Sequence, residues 1–432
     1  MSSAATVSEG RHRCGNGPAR SVTEHAALAA ALLAPAGVES LPLQACLGRR
    51  LAAAVHAVGD LPGFDNSAMD GYALRVADLG PAGLPVAAHV PAGTAPGLLV
   101  PGTAQRIMTG APLPAGADTV VPVELTDDGH DHVHVLGPLV AGRHIRRRGE
   151  DIRAGEVVLR EGTLLGPTQL AAAAACGVAA LPVRRRLRVA VLSTGSELVA
   201  AGRALRAGQA HDSNGTLLVT ALHEAGADAE LLPLVADRPD ELAELLARHL
   251  AGLNLLVTSG GISAGDHEVV RDTLAPGGVA FTPVALKPGG AQGLGHYHGT
   301  PVITLPGNPV ACWVGFELFV RPAVAAVTGM PDRPRRIARA AAAFTAAPGR
   351  HTVVPAALDA TASTVTPVPA AGPHSHRALA GADCLVELDA SGAGANVGDP
   401  VAVRVTSQDG SSRASAPGGH AARPRIVRGT PC

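Results

Sequence analysis

Five short segments between residues 187 and 330 combine glycine with hydroxyl, amide, acidic or basic side chains. Each follows a predicted strand, and they occupy positions 193–197, 237, 259–263, 287–290 and 306–309. In an open parallel α/β sheet, ligands bind beyond the carboxyl ends of the strands, where such segments meet. We therefore expect these segments to form one edge that binds an anionic ligand.

Glycines and a helix start at this edge suit phosphate. Gly260 and Gly261 carry no side chain that would keep backbone N–H groups away from phosphate oxygens. Asn308 followed by Pro309 is typical of a helix N-terminus, which attracts anions, and Lys287 adds a point charge. Each feature alone could also be an ordinary turn, helix start or surface charge, so the expectation depends on their joint placement.

Carboxylates at the same edge suit a divalent cation. Glu197, Asp237 and Glu268 offer the oxygen ligands that Mg²⁺ prefers, and they could share the ion with phosphate oxygens. The sequence lacks a G-x-x-x-x-G-K-[ST] segment, which argues against a P-loop nucleotide hydrolase.

A second group of chemically suited residues lies upstream, in segments 64–73, 106–112 and 145–152. The first segment contains two aspartates, an asparagine and a serine, which are either ligands or members of an Asx turn. Residues 146–148 are arginines that could bind phosphate bidentately or form ion pairs with Glu150 and Asp151.

Three alternating histidines, His130, His132 and His134, would share one face of a strand. They could bind a metal. We favour a solvated hairpin face, because short motifs of this kind often arise by chance.

Hydrophobic periodicity predicts the elements that position these residues. Strands alternate with helices between 187 and 330, which indicates a doubly wound αβα domain with a parallel sheet. Helix 310–327 contains Glu317 and Arg321, so we expect a core helix rather than a membrane span. The predicted strands are 188–193, 231–235, 253–258, 279–286 and 301–305, and the other helices are 215–224, 239–249 and 269–274.

The predicted architecture is multidomain α/β, with four domains and two tails. Residues 1–21 and 407–432 lack periodicity and are predicted to be disordered. The helix near residue 22 is expected to pack against segment 155–182. The domains are a discontinuous mixed helical and strand domain (22–59 and 150–186), a β-rich domain (60–149), the αβα domain (187–330) and a small C-terminal β-barrel-like domain (331–406).

Composition restricts the function classes. The formal charge of the 432-residue chain is −1, which argues against a nucleic-acid or anionic-membrane partner. Six cysteines occur without a CxxC pair. This spacing argues against a disulfide framework or zinc knuckle and favours a reducing, cytoplasmic compartment.

Eight motifs together resemble the MoeA family, which includes the E domain of gephyrin. The resemblance spans residues 22–405, and the motifs occur in the family's order. They are FDNSAMDGYA (64–73), RIMTGAP (106–112), IRRRGEDI (145–152), STGSEL (193–198), DSN (212–214), TSGGIS (258–263), LKPG (286–289) and LPGNPVA (305–311).

The resemblance implies a molybdopterin molybdenumtransferase that inserts molybdenum from molybdate into adenylylated molybdopterin and releases AMP, with Mg²⁺. It also implies a homodimer whose cleft lies between the αβα domain of one subunit and the β-rich domain of the other. The implied catalytic residues are Asp70, Thr109, Glu197, Asp237 and Lys287, with Glu197, Asp237 and Glu268 as metal ligands. The implied substrate-binding residues are Ser67, Arg146, Thr194, Gly195, Asp212, Asn214, Ser259, Gly260, Gly261, Ser263, Pro288, Gly289, Pro306, Gly307, Asn308 and Pro309.

The resemblance also implies roles for these residues. Thr109 would donate a hydrogen bond to an oxyanion, and Asp70 would help to place metal or water. The implied partners are an upstream molybdopterin adenylyltransferase and molybdoenzyme apoproteins.

The chain departs from the family pattern at four places. Glu268 stands where many members have Asp, Pro283 where some have a basic residue, and Gly290 with Ala291 where Lys-Pro is frequent. Segment 373–376 only approximates a family turn. Two alternatives stay open, namely a molybdopterin adenylyltransferase on the same α/β domain and a divergent paralogue that acts as a pterin-nucleotide-binding scaffold.

Overall fold

The computed structural model describes residues 18–263, 268–369, 372 and 374–407. The chain forms two compact units, an inserted unit (Gly37–Arg185) and a main unit (Met1–Ala36 with Arg186–Cys432). The predicted tails lie outside the described residues except for 18–21 and 407. The prediction that the first tail is disordered up to residue 21 is wrong at Arg20, because the N–H of Arg20 donates to the carbonyl of Pro283 over 2.8 Å. The four predicted domain boundaries stay predictions.

The first helix, α1 (Val22–Ala31), belongs to the main unit. Its N-cap is Ser21, whose hydroxyl accepts from the N–H of Glu24. The expectation that this helix packs against segment 155–182 is wrong. Ala29 instead joins the core cluster that contains Phe319 and Val324, because α1 packs against the helical stretch that carries these two residues.

The inserted unit is built from short strands. Strand β1 pairs antiparallel with β11, and β2 with β10, so segments 38–56 and 157–184 form one structure. A five-stranded sheet has the order β7-β4-β6-β5-β8, and β3 pairs with β9. The strands are β1 (Val38–Pro42), β2 (Val55–His56), β3 (Asn66–Ser67), β4 (Gly71–Leu74), β5 (Leu84–Val90), β6 (Ala104–Ile107), β7 (Thr119–Pro122), β8 (His132–Val133), β9 (Ile145–Arg146), β10 (Val157–Leu159) and β11 (Ala180–Arg184), with helix α2 (Pro167–Ala175) and 3-10 turns Leu43–Cys46, Val76–Asp78 and Val123–Leu125.

The predicted αβα domain is confirmed in the main unit. Its six-stranded sheet has the order β15-β12-β16-β20-β19-β17, with separate apolar cores on its two faces. A small ribbon pairs β13 with β14. The elements are β12 (Arg188–Ser193), β13 (Leu198–Val199), β14 (Ala210–His211), α3 (Asn214–Glu224), β15 (Asp228–Leu231), α4 (Pro239–His249), β16 (Leu255–Ser259), α5 (Val269–Leu274), β17 (Val279–Pro283), β18 (Leu286–Lys287), β19 (Ala291–Tyr297), β20 (Thr300–Leu305), α6 (Pro309–Gly315) and α7 (Arg321–Thr328).

Three predictions about this sheet were wrong. The strand predicted at 231–235 is Asp228–Leu231, whose side chains are mostly exposed because it is an edge strand. The strand predicted at 279–286 ends at Pro283. Strand Ala291–Tyr297 was missed and runs antiparallel to both of its neighbours, so the sheet is mixed rather than parallel.

Residues Pro309–Thr328 form one continuous helical stretch, with a π-helical turn at Phe316–Val320 between α6 and α7. The stretch is long and apolar enough to cross a membrane, yet 78% of its most apolar window is buried inside the protein. The predicted core helix is therefore confirmed. Glu317 is fully buried and paired with Arg321 and Arg333, which satisfies its charge inside the core.

The C-terminal part of the main unit is a closed β-barrel, as predicted. Its strands follow the order β22-β23-β21-β25-β24, and a further pairing of β22 with β24 closes the ring. Strand β18 adds to β22 outside the ring. The elements are β21 (Arg335–Ala340), β22 (His351–Asp359), β23 (Thr364–Pro367), α8 (His376–Gly381), β24 (Cys384–Leu388) and β25 (Pro400–Val405).

His25 makes the packing of α1 sensitive to pH. The ring is completely buried, with its centroid 4.6 Å from that of Phe319. Burial, and then the charge of Arg20, lower the pKa of His25 to about 4. An unfolded histidine binds a proton near pH 6.5, so the unfolded state takes up more protons between pH 6.5 and 4. Stability is therefore lost as the pH falls through this interval.

We expect the free energy of unfolding to fall by about 2 kcal/mol between pH 8 and pH 5 through His25 alone. Trp313, the chain's one tryptophan, packs on the same core and reports unfolding in urea by its fluorescence. His25→Leu should remove this part of the pH dependence. An equal loss of stability in the variant would contradict the prediction.

Candidate functional site

The carboxyl edge of the main sheet is held together by one amide. Asn214, the first residue of α3, donates from Nδ2 to the hydroxyl of Ser259 over 2.8 Å and to the carbonyl of Gly307 over 2.7 Å. Ser259 in turn donates to the carbonyl of Pro306 over 3.3 Å. The structure thus brings together two of the five segments predicted to form the edge, 259–263 and 306–309, with the DSN motif at 212–214.

Glycines at this edge allow backbone segments to approach closely. A Cβ on Gly260 would lie 2.7 Å from the carbonyl oxygen of Thr194. A Cβ on Gly261 would lie 2.8 Å from Val270 and 2.9 Å from the hydroxyl of Thr194, and both glycines have positive φ angles. Only glycine meets both conditions without strain. Gly307 is adjacent to Gly260, because its Cβ would lie 3.4 Å from the Gly260 Cα.

Several buried polar atoms at this edge have no hydrogen-bond partner among the described residues. They are the Ser193 and Thr194 hydroxyls, Oδ2 of Asp212 and Oδ1 of Asn214. Asp212 uses only its other oxygen, which accepts from the N–H of Gly215 over 2.9 Å. Buried polar groups are nearly always paired, so this set is suited to a ligand that supplies the missing partners.

Residues 195–197 place two carboxylates. Ser196 donates to Oδ2 of Asp237 through its N–H (3.1 Å) and its hydroxyl (2.8 Å). A Cβ on Gly195 would lie 2.6 Å from the Glu197 carboxylate, so that carboxylate rests against the glycine backbone. Asp237 and Glu197 are both exposed and accessible to a cation.

Glu268 has a different setting from the other two predicted metal ligands. It is buried at the start of α5, and its Oε2 accepts from the N–H of Ser263 over 2.7 Å. Among the described residues, no three His, Cys, Asp or Glu side chains are gathered closely enough to hold a metal. The structure therefore does not assemble Glu197, Asp237 and Glu268 into a ready three-carboxylate site.

Lys287 was predicted to follow a strand of the main sheet, and this is wrong. It lies in β18, whose Leu286 and Lys287 pair with His351 and Thr352 of the barrel. The Lys287–Pro288 peptide is cis, and Gly289 approaches α6, because its Cβ would lie 3.2 Å from the carbonyl of Ala311. The Lys287 ammonium is exposed.

The pairing of β18 with β22 reveals a residue that the sequence analysis missed. A cavity of about 390 Å³ is lined by Ser263, Pro283, Gly290 and Arg350, among others. Arg350 is the one charged residue among the described residues that line it. Arg350 lies 63 positions after Lys287 in the sequence, and no motif marked it, because only the register Leu286↔His351 brings it to this cavity.

The helix start at Asn308 and Pro309 is present as predicted. Asn308 is the N-cap of α6, and its carbonyl accepts from the N–H of Cys312 over 2.8 Å. Its side chain makes no capping bond.

In the inserted unit, Asp70 and Thr109 meet. Oδ1 of Asp70 accepts from the N–H of Thr109 over 2.6 Å and from its hydroxyl over 2.8 Å. These bonds, the N–H first, hold the pKa of Asp70 below its ordinary value. The hydroxyl hydrogen of Thr109 is thus directed at Asp70. The donation of Thr109 to an oxyanion stays a prediction.

Other predicted residues of the inserted unit have structural contacts. Ser67 is completely buried, and its hydroxyl donates to the carbonyl of Met69 over 2.5 Å. Its role in substrate binding stays a prediction. Arg146 is exposed on β9, opposite Asn66.

Two residues of the arginine triplet form ion pairs, as one of the two interpretations predicted. Their partners are not Glu150 and Asp151, which were the expected ones. Arg147 pairs with Asp65 over 2.6 Å, and Arg148 pairs with Asp60 over 2.5 Å. Glu150 accepts from the N–H of Arg147 over 2.6 Å.

The alternating histidines lie on an exposed hairpin. Nδ1–H of His134 donates to the carboxylate of Asp127 over 2.8 Å, and the His132 ring centroid lies 5.1 Å from that of His134. The solvated face that we favoured agrees with their exposure.

Three known families match consecutive parts of the chain. The MoeA N-terminal region (domain I and II) matches residues 20–177, the probable molybdopterin binding domain matches 190–326, and the MoeA C-terminal region (domain IV) matches 337–405. Molybdopterin molybdenumtransferase 2 of Mycobacterium tuberculosis is 43% identical over 385 residues, which covers 85% of this chain and 95% of the relative. The chain belongs to the MoeA family.

Other relatives agree with this assignment. Molybdopterin molybdenumtransferase 1 of Mycobacterium tuberculosis is 33% identical over 426 residues, covering 90% of this chain and all of the relative. Two crystal structures of the molybdopterin biosynthesis MoeA protein from Pyrococcus horikoshii have TM-scores of 0.79 and 0.72, with 28% and 25% identity, and each covers 90% of this chain and 100% of that chain. The MoeA resemblance predicted from the motifs is confirmed.

Gly261→Ala should disrupt the carboxyl edge of this MoeA-family chain. The new Cβ would press on Val270 and Thr194, so we expect AMP affinity to fall by as much as about 100-fold, the order that a displacement of about 1 Å can cost. Gly202→Ala is the matched control, since Gly202 also has a positive φ but nothing lies within 4 Å of its Cβ position. Calorimetric titration with AMP measures both variants, and equal affinities would exclude the steric explanation.

Proposed function

We propose that this protein inserts molybdenum from molybdate into adenylylated molybdopterin and releases AMP. The set of unpartnered buried polar atoms at the carboxyl edge carries the proposal. Asp212 Oδ2 and Asn214 Oδ1 are acceptors, which suits the N–H donors of a pterin or adenine ring. Membership of the MoeA family indicates the substrate class. The unpaired acceptors of Asp212 and Asn214 indicate that the substrate binds at the carboxyl edge of the sheet.

The backbone around Gly260 and Gly261 binds the phosphates in this proposal. Both residues have positive φ angles, a backbone conformation found in anion-binding loops. The N–H of Gly260 already donates to the carbonyl of Leu305 over 3.1 Å, so the phosphate donors in this proposal are the N–H groups that follow it. The N-terminus of α6 after Asn308 lies on the same edge, because Asn214 ties Gly307 to Ser259. Its unpaired N–H groups favour negative charge.

The cavity beside Ser263 suits the smaller anion, molybdate. Arg350 offers a guanidinium that binds tetrahedral oxyanions through paired N–H donors. Lys287 lies in the strand that pairs next to Arg350 and adds an ammonium. We propose that these two cations position molybdate for transfer.

We propose Mg²⁺ as the cofactor, held by Asp237 and Glu197. Both carboxylates are exposed, and Asp237 uses only Oδ2 in its bonds with Ser196, so hard oxygen donors remain available. Bound Mg²⁺ polarises a phosphoanhydride as a Lewis acid. Glu268 supports the loop at Ser263 in this scheme rather than binding the metal, because its Oε2 already accepts from that N–H.

The adenylyltransferase alternative is not favoured. It would account for the molybdopterin binding domain at 190–326, but the MoeA-specific regions at 20–177 and 337–405 also match. A scaffold without catalysis would not require the carboxylates of Asp70 and Asp237 each to be fixed by two donors.

We further propose that the protein acts as a homodimer. Phe64, Met69 and Met108 are 50%, 36% and 37% exposed and flank Asp70 and Thr109 in sequence. Exposed apolar side chains clustered around a functional pair are typical of a surface that another chain covers. The proposed setting is the cytoplasm, with an adenylyltransferase upstream and molybdoenzyme apoproteins downstream.

Asp70→Ala and Asp237→Ala should each abolish turnover while the fold stays intact, because both side chains are exposed and leave no core cavity. Turnover should fall by more than the roughly 10–100-fold that is typical when a residue that supports a metal ligand is removed. AMP release from adenylylated molybdopterin with Mg²⁺ and molybdate is the measurement. Asp359→Ala, at an exposed barrel turn, is the control. Full activity of Asp70→Ala would remove that residue from the mechanism.

Phe64→Asp should weaken the dimer by about tenfold or more, as expected when a charge enters an apolar contact centre. Leu205→Asp is the control, because Leu205 is 48% exposed in the main unit, away from the Asp70 sequence region. Sedimentation equilibrium over a range of concentrations gives the dissociation constants. A monomeric wild-type protein, or identical values for both variants, would refute the proposed interface.

A further inference from the structure

Two aspartates of the proposed mechanism share one hydrogen-bonding arrangement. A single oxygen of Asp237 accepts from both the N–H and the hydroxyl of Ser196, at 3.1 and 2.8 Å. A single oxygen of Asp70 accepts from both the N–H and the hydroxyl of Thr109, at 2.6 and 2.8 Å. We call this arrangement the two-donor clamp.

Both clamps join distant parts of the sequence. Ser196 and Asp237 are 41 residues apart, and Thr109 and Asp70 are 39 apart. A third instance, Thr361 with Asp359, spans only two residues and belongs to an ordinary Asx turn of the barrel. A local turn needs no further explanation, whereas a clamp between separate loops fixes a carboxylate relative to the sheet.

The direction of the bonds at Asp237 is determined. The N–H of Asp237 donates to the Ser196 hydroxyl oxygen over 3.2 Å, so the hydroxyl hydrogen is free to point at Oδ2 of Asp237. No contact uses Oδ1 of Asp237 among the described residues. The clamp thus holds one oxygen and presents the other.

We propose that Ser196 is a positioning residue for Asp237, fixing Oδ2 so that Oδ1 is presented to a divalent cation. The inference rests on the proposed function, because it assigns the cation to Asp237. An aspartate restrained in this way loses less side-chain freedom when it binds metal, and outer contacts of metal ligands strengthen binding for this reason. In this inference Ser196 acts through Asp237 and is not itself a ligand of the cation.

Direct metal binding tests the inference in the full-length protein. Mn²⁺ alone is titrated and followed by electron paramagnetic resonance, for wild type, Ser196→Ala, Ser196→Thr and Thr361→Ala. Ser196→Ala should raise the dissociation constant about tenfold or more. Ser196→Thr keeps the hydroxyl and should bind as wild type does. Thr361→Ala removes an equivalent hydroxyl from a local clamp and should also bind normally.

Kinetics separate positioning from a merely structural role. In Ser196→Ala, the Mg²⁺ concentration for half-maximal AMP release should rise, while kcat at saturating Mg²⁺ largely recovers. The thermal midpoint followed by Trp313 fluorescence should match wild type, because Ser196 is exposed.

Failure of the inference and failure of the proposed function differ in outcome. Wild-type Mn²⁺ affinity in Ser196→Ala, together with lost affinity in Asp237→Ala, would overturn the positioning role alone. Wild-type affinity in Asp237→Ala would overturn the metal assignment itself. Equal weakening in Ser196→Ala and Thr361→Ala would also overturn the inference, because the effect would then not be specific to this clamp.

Discussion

The amide of Asn214 is the contact on which the ligand edge depends. It satisfies the Ser259 hydroxyl and the Gly307 carbonyl at once, so the loop after β16 and the loop before α6 cannot separate without leaving polar groups unpaired. The glycines complete this constraint, since a Cβ on Gly307 would come within 3.4 Å of Gly260. The hydrogen bonds of Asn214 and the absence of a Cβ on Gly260 and Gly307 together allow the two loops to form one surface. Unpaired hydrogen-bond acceptors lie at this surface.

A second constraint is the pairing of β18 with the barrel. It brings Arg350 to the cavity that Pro283 and Gly290 also line. Neither Pro283 nor Gly290 carries a charge. Arg350 therefore supplies the fixed positive charge of the cavity lining, with Lys287 nearby in the paired strand. The proposed anion binding at this cavity therefore uses a cation that the strand register brings there, beside the local Lys-Pro-Gly segment.

Elements with one buried face were predicted well, because burial of one face produces a periodic pattern of apolar residues in the sequence. Helix Pro239–His249 has leucines on one face and a proline in its first turn, and both of its ends were predicted correctly. Strand Asp228–Leu231 was misplaced, because an exposed edge strand needs no apolar run. Strand Ala291–Tyr297 was missed, because Gly293 and Gly295 resemble loop residues. Glycine is required at position 295, because a Cβ there would lie 2.3 Å from the carbonyl oxygen of Gly278.

At the site, the sequence likewise identified residues but not the contacts that they make with each other. The motifs named Asp70 and Thr109 as functional, but not that the hydroxyl of one serves the other. That contact arises from antiparallel strand pairing, in which Gly71 lies opposite Ile107 and places the segment before β4 beside the segment after β6. At Asp237 the parallel bridge of Thr194 with Val235 does the same for Ser196. Because a one-residue slip would turn each hydroxyl to the opposite face, strand register is what converts separate motifs into fixed carboxylates.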